Sequence, residues 1–187
     1  MTIKIVVSGP RGKMGSEAIN MIESEANFKL VACIDRKNDG KRLSDVTDFK
    51  LEVPIYENPE QCFKDISADV LLDLTIPEAG FKHTKAALEH QVRTVTGTSG
   101  YTNEHIQTLT DIAKANKTGC IIAPNFAIGA VLMMQFSKMA AKYFPDVEII
   151  EKHHDQKLDS PSGTAVKTAE LIKETRKTKI QGHEHEE

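Results

Sequence analysis

The segment Ile3 to Gly15, IKIVVSGPRGKMG, constrains the fold more than any other stretch of the chain. A short run rich in β-branched residues stops at Gly9, and Gly12 and Gly15 follow. The spacing G-x-x-G-x-x-G is a relative of the G-x-G-x-x-G turn that joins a strand to the mouth of a helix in doubly wound sheets. The next residues, KMGSEAINMIESE (Lys13 to Glu25), put Met14, Ala18, Met21 and Ile22 at helical spacing. A chain that runs strand, glycine turn, helix feeds its helix back across one face of a sheet and starts a parallel crossover.

The pattern continues. KLVACID (Lys29 to Asp35), DVLLDLT (Asp69 to Thr75), RTVTGTSG (Arg93 to Gly100) and GCIIAPN (Gly119 to Asn125) read as strands. EAGFKHTKAALEHQ (Glu78 to Gln91) and NEHIQTLTDIAKAN (Asn103 to Asn116) read as helices, the second with Asn103 as its N-cap. The strands are continuous apolar runs, which is how strands covered on both faces read. This predicts an α/β fold: a Rossmann-like doubly wound parallel sheet over residues 1–125. From 126 to 187 the character changes to a helix (Ala130 to Phe144), a strand (Asp146 to His154) and a helix (Ser162 to Lys177). That is the start of a smaller α+β domain that reads as C-terminally incomplete. A lone strand leaves its N–H and C=O groups unpaired, so its partners must come from residues not in this sequence or from another chain.

Bulk properties exclude several functions. The 187 residues, 40% hydrophobic, suffice for one large or two small cores. A net charge of −3 does not suit a nucleic-acid binder. No run of about 18 apolar residues is available for a membrane span, and MTIKIVVSG lacks the features of a signal peptide. Cys33, Cys62 and Cys120 follow no metal spacing and read as reduced thiols of a cytoplasmic protein. No metal site is expected. His153 and His154 lack a third close ligand, and His183 and His185 lie in a polar tail.

The glycine turn predicts a dinucleotide site. Residues without a Cβ let the backbone approach a pyrophosphate, and the helix start supplies free N–H groups and a positive dipole end. Asp35 lies 20 residues after Gly15, where a carboxylate bonds ribose hydroxyls. Arg36 follows at once, with Arg11, Lys37 and Arg42 nearby in sequence, and a neighbouring arginine accommodates a 2′-phosphate. Tolerance of both NADH and NADPH is the expectation. The bland alternative is a tight structural turn, and the rival ligand is S-adenosylmethionine, whose later aromatic motif is missing. TIPE (Thr75 to Glu78) and GTSG (Gly97 to Gly100) fall at the carboxyl edge of the sheet, and the small residues of GTSG leave room for a nicotinamide. Ala123, Asn125 and Phe126 in APNFAIG are expected at the seam between domains.

EKHHDQKLDSPSGTA (Glu151 to Ala165) predicts an anion site. Strand alternation puts His153 and Lys157 on one side and His154 on the other. Ser162 or Ser160 can cap the following helix, leaving the N–H groups of Gly163 and Thr164 for a carboxylate.

Together, VSGPRGKMG, DLTIPE, GTSGY, APNFAIG and EKHHDQKLDSPSGTA resemble the 4-hydroxy-tetrahydrodipicolinate reductase (dihydrodipicolinate reductase) family, in the family's order from residue 6 to residue 165. Ser160 stands where the family usually has alanine. The resemblance implies that Gly9, Arg11, Gly12, Lys13 and Met14 form the pyrophosphate loop, and that Asp35 and Arg36 read the adenosine ribose. It implies that Gly97, Thr98 and Ser99 line the nicotinamide half, with Ala123, Asn125 and Phe126 closing over it. His153 is then an acid, and Lys157 a proton donor or electrostatic partner. His154, Lys157, Ser162, Gly163 and Thr164 hold the carboxylates of a cyclic dicarboxylate substrate, which needs a bend after His153. The second domain becomes a substrate-binding and tetramerisation domain, and the protein a cytoplasmic homotetramer. Family members are longer, so a fragment that binds the dinucleotide with weak catalysis is the alternative expectation. Amino-acid and sugar dehydrogenases of the same build carry other substrate motifs.

Overall fold

The structure, a computed structural model, describes residues 1–123, 125–144, 146–153 and 160–176. It contains two compact units, Met1–Ala123 and Pro124–Glu187.

The first unit is built on β1 (Ile3–Ser8), β2 (Phe28–Ile34), β3 (Ile55–Tyr56), β4 (Val70–Asp73), β5 (Arg93–Thr96) and β6 (Cys120–Ile122). These form one sheet in the order β3-β2-β1-β4-β5-β6, and every pairing is parallel. The helices are α1 (Lys13–Ser24), α2 (Pro59–Asp65), α3 (Pro77–Glu89) and α4 (Asn103–Ala115), with a 3₁₀ turn at Leu43–Asp45. The chain leaves β1 outward to β2 and β3, then returns to β4 on the other side of β1. The order therefore reverses between β1 and β4, which is where open α/β sheets take ligands.

Alternation along β1 shows why the strands read as unbroken apolar runs. Val6 joins Ala32, Ile34 and Leu71 under Cys62 and Phe63 of α2 and Ala86 and Ala87 of α3. Its neighbours Ile5 and Val7 face the opposite way, onto Leu30, Cys33, Ile55 and Ile19 and Ile22 of α1. Ile19 and Leu71 are completely buried, each contributing roughly 1.5–3 kcal/mol over an exposed position.

The doubly wound parallel sheet is thus the predicted one, with two additions. β3 has only two residues, paired as Cys33 with Ile55 and Ile34 with Tyr56, too few for a periodicity to register. α2 carried a readable signal: the Asn58 carboxamide accepts from the Glu60 N–H at 3.0 Å, and Pro59 opens the helix. At α4 the cap is Thr102 rather than Asn103, because the Thr102 hydroxyl accepts from the His105 N–H at 3.1 Å.

In the second unit α5 (Ile128–Ala140) packs against α6 (Gly163–Thr175). The strand expected over Asp146 to His154 does not form in its described part, residues 146–153. A strand exists only through a paired neighbour, and no other described stretch of this unit is extended into a ladder. α5 starts before the predicted Ala130 and stops at Ala140, short of Phe144. It leaves Leu132, Phe136 and Met139 exposed. No helix among the described residues is long and apolar enough to cross a membrane.

Candidate functional site

The turn after β1 depends on its glycines. Gly9 has φ +83°, and a Cβ there would lie 2.8 Å from the Leu74 carbonyl oxygen. A Cβ on Gly15 would lie 2.0 Å from the Gly9 carbonyl oxygen, so α1 can begin this close to the turn only without a side chain. The Gly12 N–H donates to the Gly9 carbonyl at 3.1 Å and holds the loop closed. Gly12 caps α1 without a side-chain bond, and the first turn contains no acidic residue. The positive end of the helix, with the exposed residues Lys13 and Met14, is left for an external anion. The cradle fits a phosphate group.

Asp35 follows β2 and is 8% exposed. Its Oδ2 accepts from Arg11 Nε at 2.5 Å, and its Oδ1 accepts from Arg11 Nη2 at 3.1 Å and from the Lys37 N–H at 2.9 Å. Arg11, expected in the pyrophosphate loop, bonds this carboxylate. Burial pushes the Asp35 pKa up, but the hydrogen bonds from Arg11 and Lys37 and the guanidinium charge hold it below the usual carboxylate range. Arg36 is exposed. A ribose hydroxyl arriving here meets a carboxylate that already carries a cation.

The ends of β4 and β5 form a second cluster. Thr98 is 3% exposed. Its hydroxyl donates to Asp73 Oδ2 at 2.5 Å and accepts from the Thr75 N–H at 3.1 Å. The Gly97 N–H donates to the Asp73 carbonyl at 2.9 Å, and Ser99 is exposed. Asp73 was not singled out in the sequence, although an acidic residue inside the apolar run DVLLDLT signals a buried charge that needs partners. Ala123 continues β6, its N–H donating to the Thr96 carbonyl at 2.8 Å.

In the second unit, Asn125 Nδ2 donates to the Thr164 hydroxyl at 2.9 Å, and Asn125 Oδ1 accepts from the Ala127 N–H at 2.7 Å. An expected cofactor residue and an expected substrate residue thus meet directly. Phe126 is exposed. The Ser162 hydroxyl caps α6 by accepting from the Ala165 N–H at 3.1 Å. The Ser162 N–H donates to Glu151 Oε1 at 2.9 Å and Oε2 at 3.3 Å. The carboxylate at this helix start is therefore the chain's own. Glu151 went unassigned in the sequence although it opens the quoted motif. Its Oε2 also lies 4.0 Å from His153 Nδ1. Gly163, the first residue of α6, is exposed. A cavity of about 540 Å³ between α5, residues 147–153 and α6 is lined by Glu151, His153, Ser162 and Thr164 among apolar neighbours. His154 and Lys157 lie outside the described residues. Among the described residues no cluster of three His, Cys, Asp or Glu side chains is placed to hold a metal ion.

Residues 3–126 match the family model described as dihydrodipicolinate reductase, N-terminus, and residues 129–186 match dihydrodipicolinate reductase, C-terminus. The chain is 61% identical to the 4-hydroxy-tetrahydrodipicolinate reductase of Oceanobacillus iheyensis over 189 residues, covering 100% of the chain and 71% of that protein. It is 56% identical to the enzyme of that name from Geobacillus thermodenitrificans over 187 residues, again covering 100% of the chain and 71% of the relative. A solved structure of dipicolinate-bound dihydrodipicolinate reductase from Paenisporosarcina sp. TG-14 superposes with a TM-score of 0.80 at 53% identity, covering 100% of the chain and 71% of that protein. The sheet order, the glycine turn and these matches agree: the chain belongs to the dihydrodipicolinate reductase family.

Proposed function

We propose that this chain reduces 4-hydroxy-tetrahydrodipicolinate to tetrahydrodipicolinate with NADH or NADPH, a step of lysine and diaminopimelate synthesis. The observation that carries this reading is the uncapped, glycine-bounded start of α1 with Asp35 held at the end of the adjacent strand, in a member of that reductase family. The cytoplasm is the proposed location and a homotetramer the proposed assembly, the latter supported by the exposed apolar face of α5.

The first unit is the dinucleotide domain in this reading. Gly9, Gly12, Lys13 and Met14 receive the pyrophosphate on backbone N–H groups and the helix dipole. Asp35, Arg11 and Arg36 meet the adenosine ribose, and the presence of both charges supports acceptance of either cofactor. Gly97, Thr98, Ser99 and Ala123 line the nicotinamide half in this unit, and Asn125 and Phe126 are further proposed cofactor residues. The cofactor, when bound, supplies a hydride to the ring of the substrate.

The second unit holds the substrate. Lys157, His154, Ser162, Gly163 and Thr164 fix the two ring carboxylates, which orients the conjugated imine. His153 and Lys157 supply the proton that the ring gains as it takes up the hydride, and Lys157 stabilises charge building on the ring nitrogen. The 4-hydroxyl leaves as water with a hydrogen from the neighbouring ring carbon, which generates the conjugated imine, and its reduction then consumes one NAD(P)H and one proton. Glu151 keeps Ser162 and His153 in place. The test is steady-state consumption of NADH and of NADPH on freshly generated substrate. No turnover from protein that binds both cofactor and dipicolinate would sink the reading.

A further inference from the structure

The first unit contains a buried carboxylate to which the proposed chemistry gives no role. Asp73, the last residue of β4, is completely buried. Its Oδ2 accepts from the hydroxyls of Thr98 at 2.5 Å and Thr96 at 3.2 Å. Its Oδ1 accepts from the Thr75 hydroxyl at 2.9 Å and lies 3.3 Å from His83 Nδ1. The same His83 nitrogen is 2.6 Å from the Ser8 hydroxyl at the end of β1. One carboxylate therefore ties together the carboxyl ends of β1, β4 and β5 and the first turns of α3.

The geometry is not that of a hydrolytic relay. A relay needs one imidazole nitrogen toward the serine and the other toward the acid. Here Nδ1 faces both, so His83 cannot pass a proton between them. Nor is this general core packing. Thr75 and Thr98 begin the two turns after β4 and β5, the turns that border the carboxyl edge at the reversal of strand order. The Thr75 N–H closes the ring by donating to the Thr98 hydroxyl at 3.1 Å. Gly80 of α3 lets the helix reach this point: a Cβ there would lie 2.5 Å from Asp73 Oδ2 and 3.1 Å from the Thr98 hydroxyl.

Burial pushes the Asp73 pKa up, but the hydrogen bonds from His83, Thr98 and Thr75 outweigh it and keep the carboxyl below its usual range. The charged form is the one that accepts from all its donors at once.

We propose that Asp73 is a positioning residue for the nicotinamide half of the cofactor, fixing the turns at Thr75 and Thr98 against each other. It touches neither hydride donor nor acceptor and acts through Thr98. The inference rests on the dinucleotide reading of the first unit. A residue that only stabilises the fold would weaken all parts of the cofactor alike or lower the melting temperature alone. A positioning residue affects the end it positions.

The experiment measures dissociation constants of NADPH, NADH and ADP-ribose, which lacks the nicotinamide, for the wild-type chain and for Asp73→Asn. The expected result is a weakening of both dinucleotides by at least about tenfold, as for a lost charge-assisted bond, with ADP-ribose within about twofold of wild type. Thr98→Val, which keeps the shape and removes the hydroxyl, is expected to do the same, and Thr98→Ser to restore binding. Should Asp73→Asn fail to fold, the two Thr98 variants carry the test. Equal loss of all three ligands, or unchanged dinucleotide binding by a folded variant, overturns the inference. Failure of the wild-type chain to bind any of the three would overturn the dinucleotide reading itself.

Discussion

Replacing Arg11 by alanine tests whether the ion pair at the end of β2 sets cofactor choice. In the structure the guanidinium bonds both oxygens of Asp35, at 2.5 and 3.1 Å. Asp35 is well buried, whereas the Arg11 side chain is 42% exposed. In the proposed binding mode NADPH brings a 2′-phosphate toward this carboxylate, and NADH brings hydroxyl groups. Two unit charges about 4 Å apart interact by about 4 kcal/mol at an effective dielectric constant near 20. Arg11 cancels much of that repulsion, but its exposure screens the effect. A net loss of about 1–3 kcal/mol is expected for NADPH, or about 5- to 150-fold in affinity. NADH loses no phosphate partner, and Asp35 becomes free to accept from the ribose. Its affinity should stay within about threefold or improve. Calorimetric titration of both cofactors into wild type and Arg11→Ala gives the ratio directly. A preference unchanged within about twofold in a folded variant would refute the assignment of Arg11 as a discriminator.

Further outcomes follow from the same geometry. Gly15→Ala puts a Cβ 2.0 Å from the Gly9 carbonyl oxygen, so the turn must open. Dinucleotide binding should fall at least about tenfold, with a stability loss of about 1–3 kcal/mol by denaturant titration. Leu71→Ala empties a fully buried position at the centre of the sheet and should cost about 2–5 kcal/mol in the same assay. Asp73 has a folded pKa below its unfolded value, so its contribution is present above the unfolded pKa of about 3.9 and is lost as pH falls through the lower folded value. Melting curves should show Asp73→Asn less stable than wild type near pH 7, with the gap narrowing below about pH 4. His153→Ala and Lys157→Ala should each lower turnover more than about tenfold with cofactor affinity little changed. Wild-type turnover in both would remove their assigned roles.

Much of the first unit was legible because its signals are local. The run from Ile3 to Gly15 announces strand, turn and helix within 13 residues, and Asp35 stands at a fixed distance from it. β3 escaped because two residues carry no period, and its place is set by pairing with Cys33 and Ile34. The strand expected at Asp146–His154 had the right composition, yet composition supplies no partner. Arg11 illustrates a different limit. Its place in the loop suggested the pyrophosphate, whereas its bonds to Asp35, 24 residues further along the chain, are set by the fold and not by neighbourhood in sequence. Asp73 was visible as a charge inside an apolar run; its four donors come from β5, α3 and two turns, which only the fold assembles. Glu151 shows the same limit: its place on the N–H of Ser162, eleven residues later in the chain, follows from the helix start at Gly163.

Steady-state kinetics on freshly generated 4-hydroxy-tetrahydrodipicolinate test the proposed hydride transfer to a ring dicarboxylate. Consumption of NADH or NADPH should depend on both protein and substrate, be inhibited by dipicolinate, and fall more than about tenfold in Lys157→Ala. Protein that binds both cofactor and dipicolinate yet transfers no hydride would contradict it.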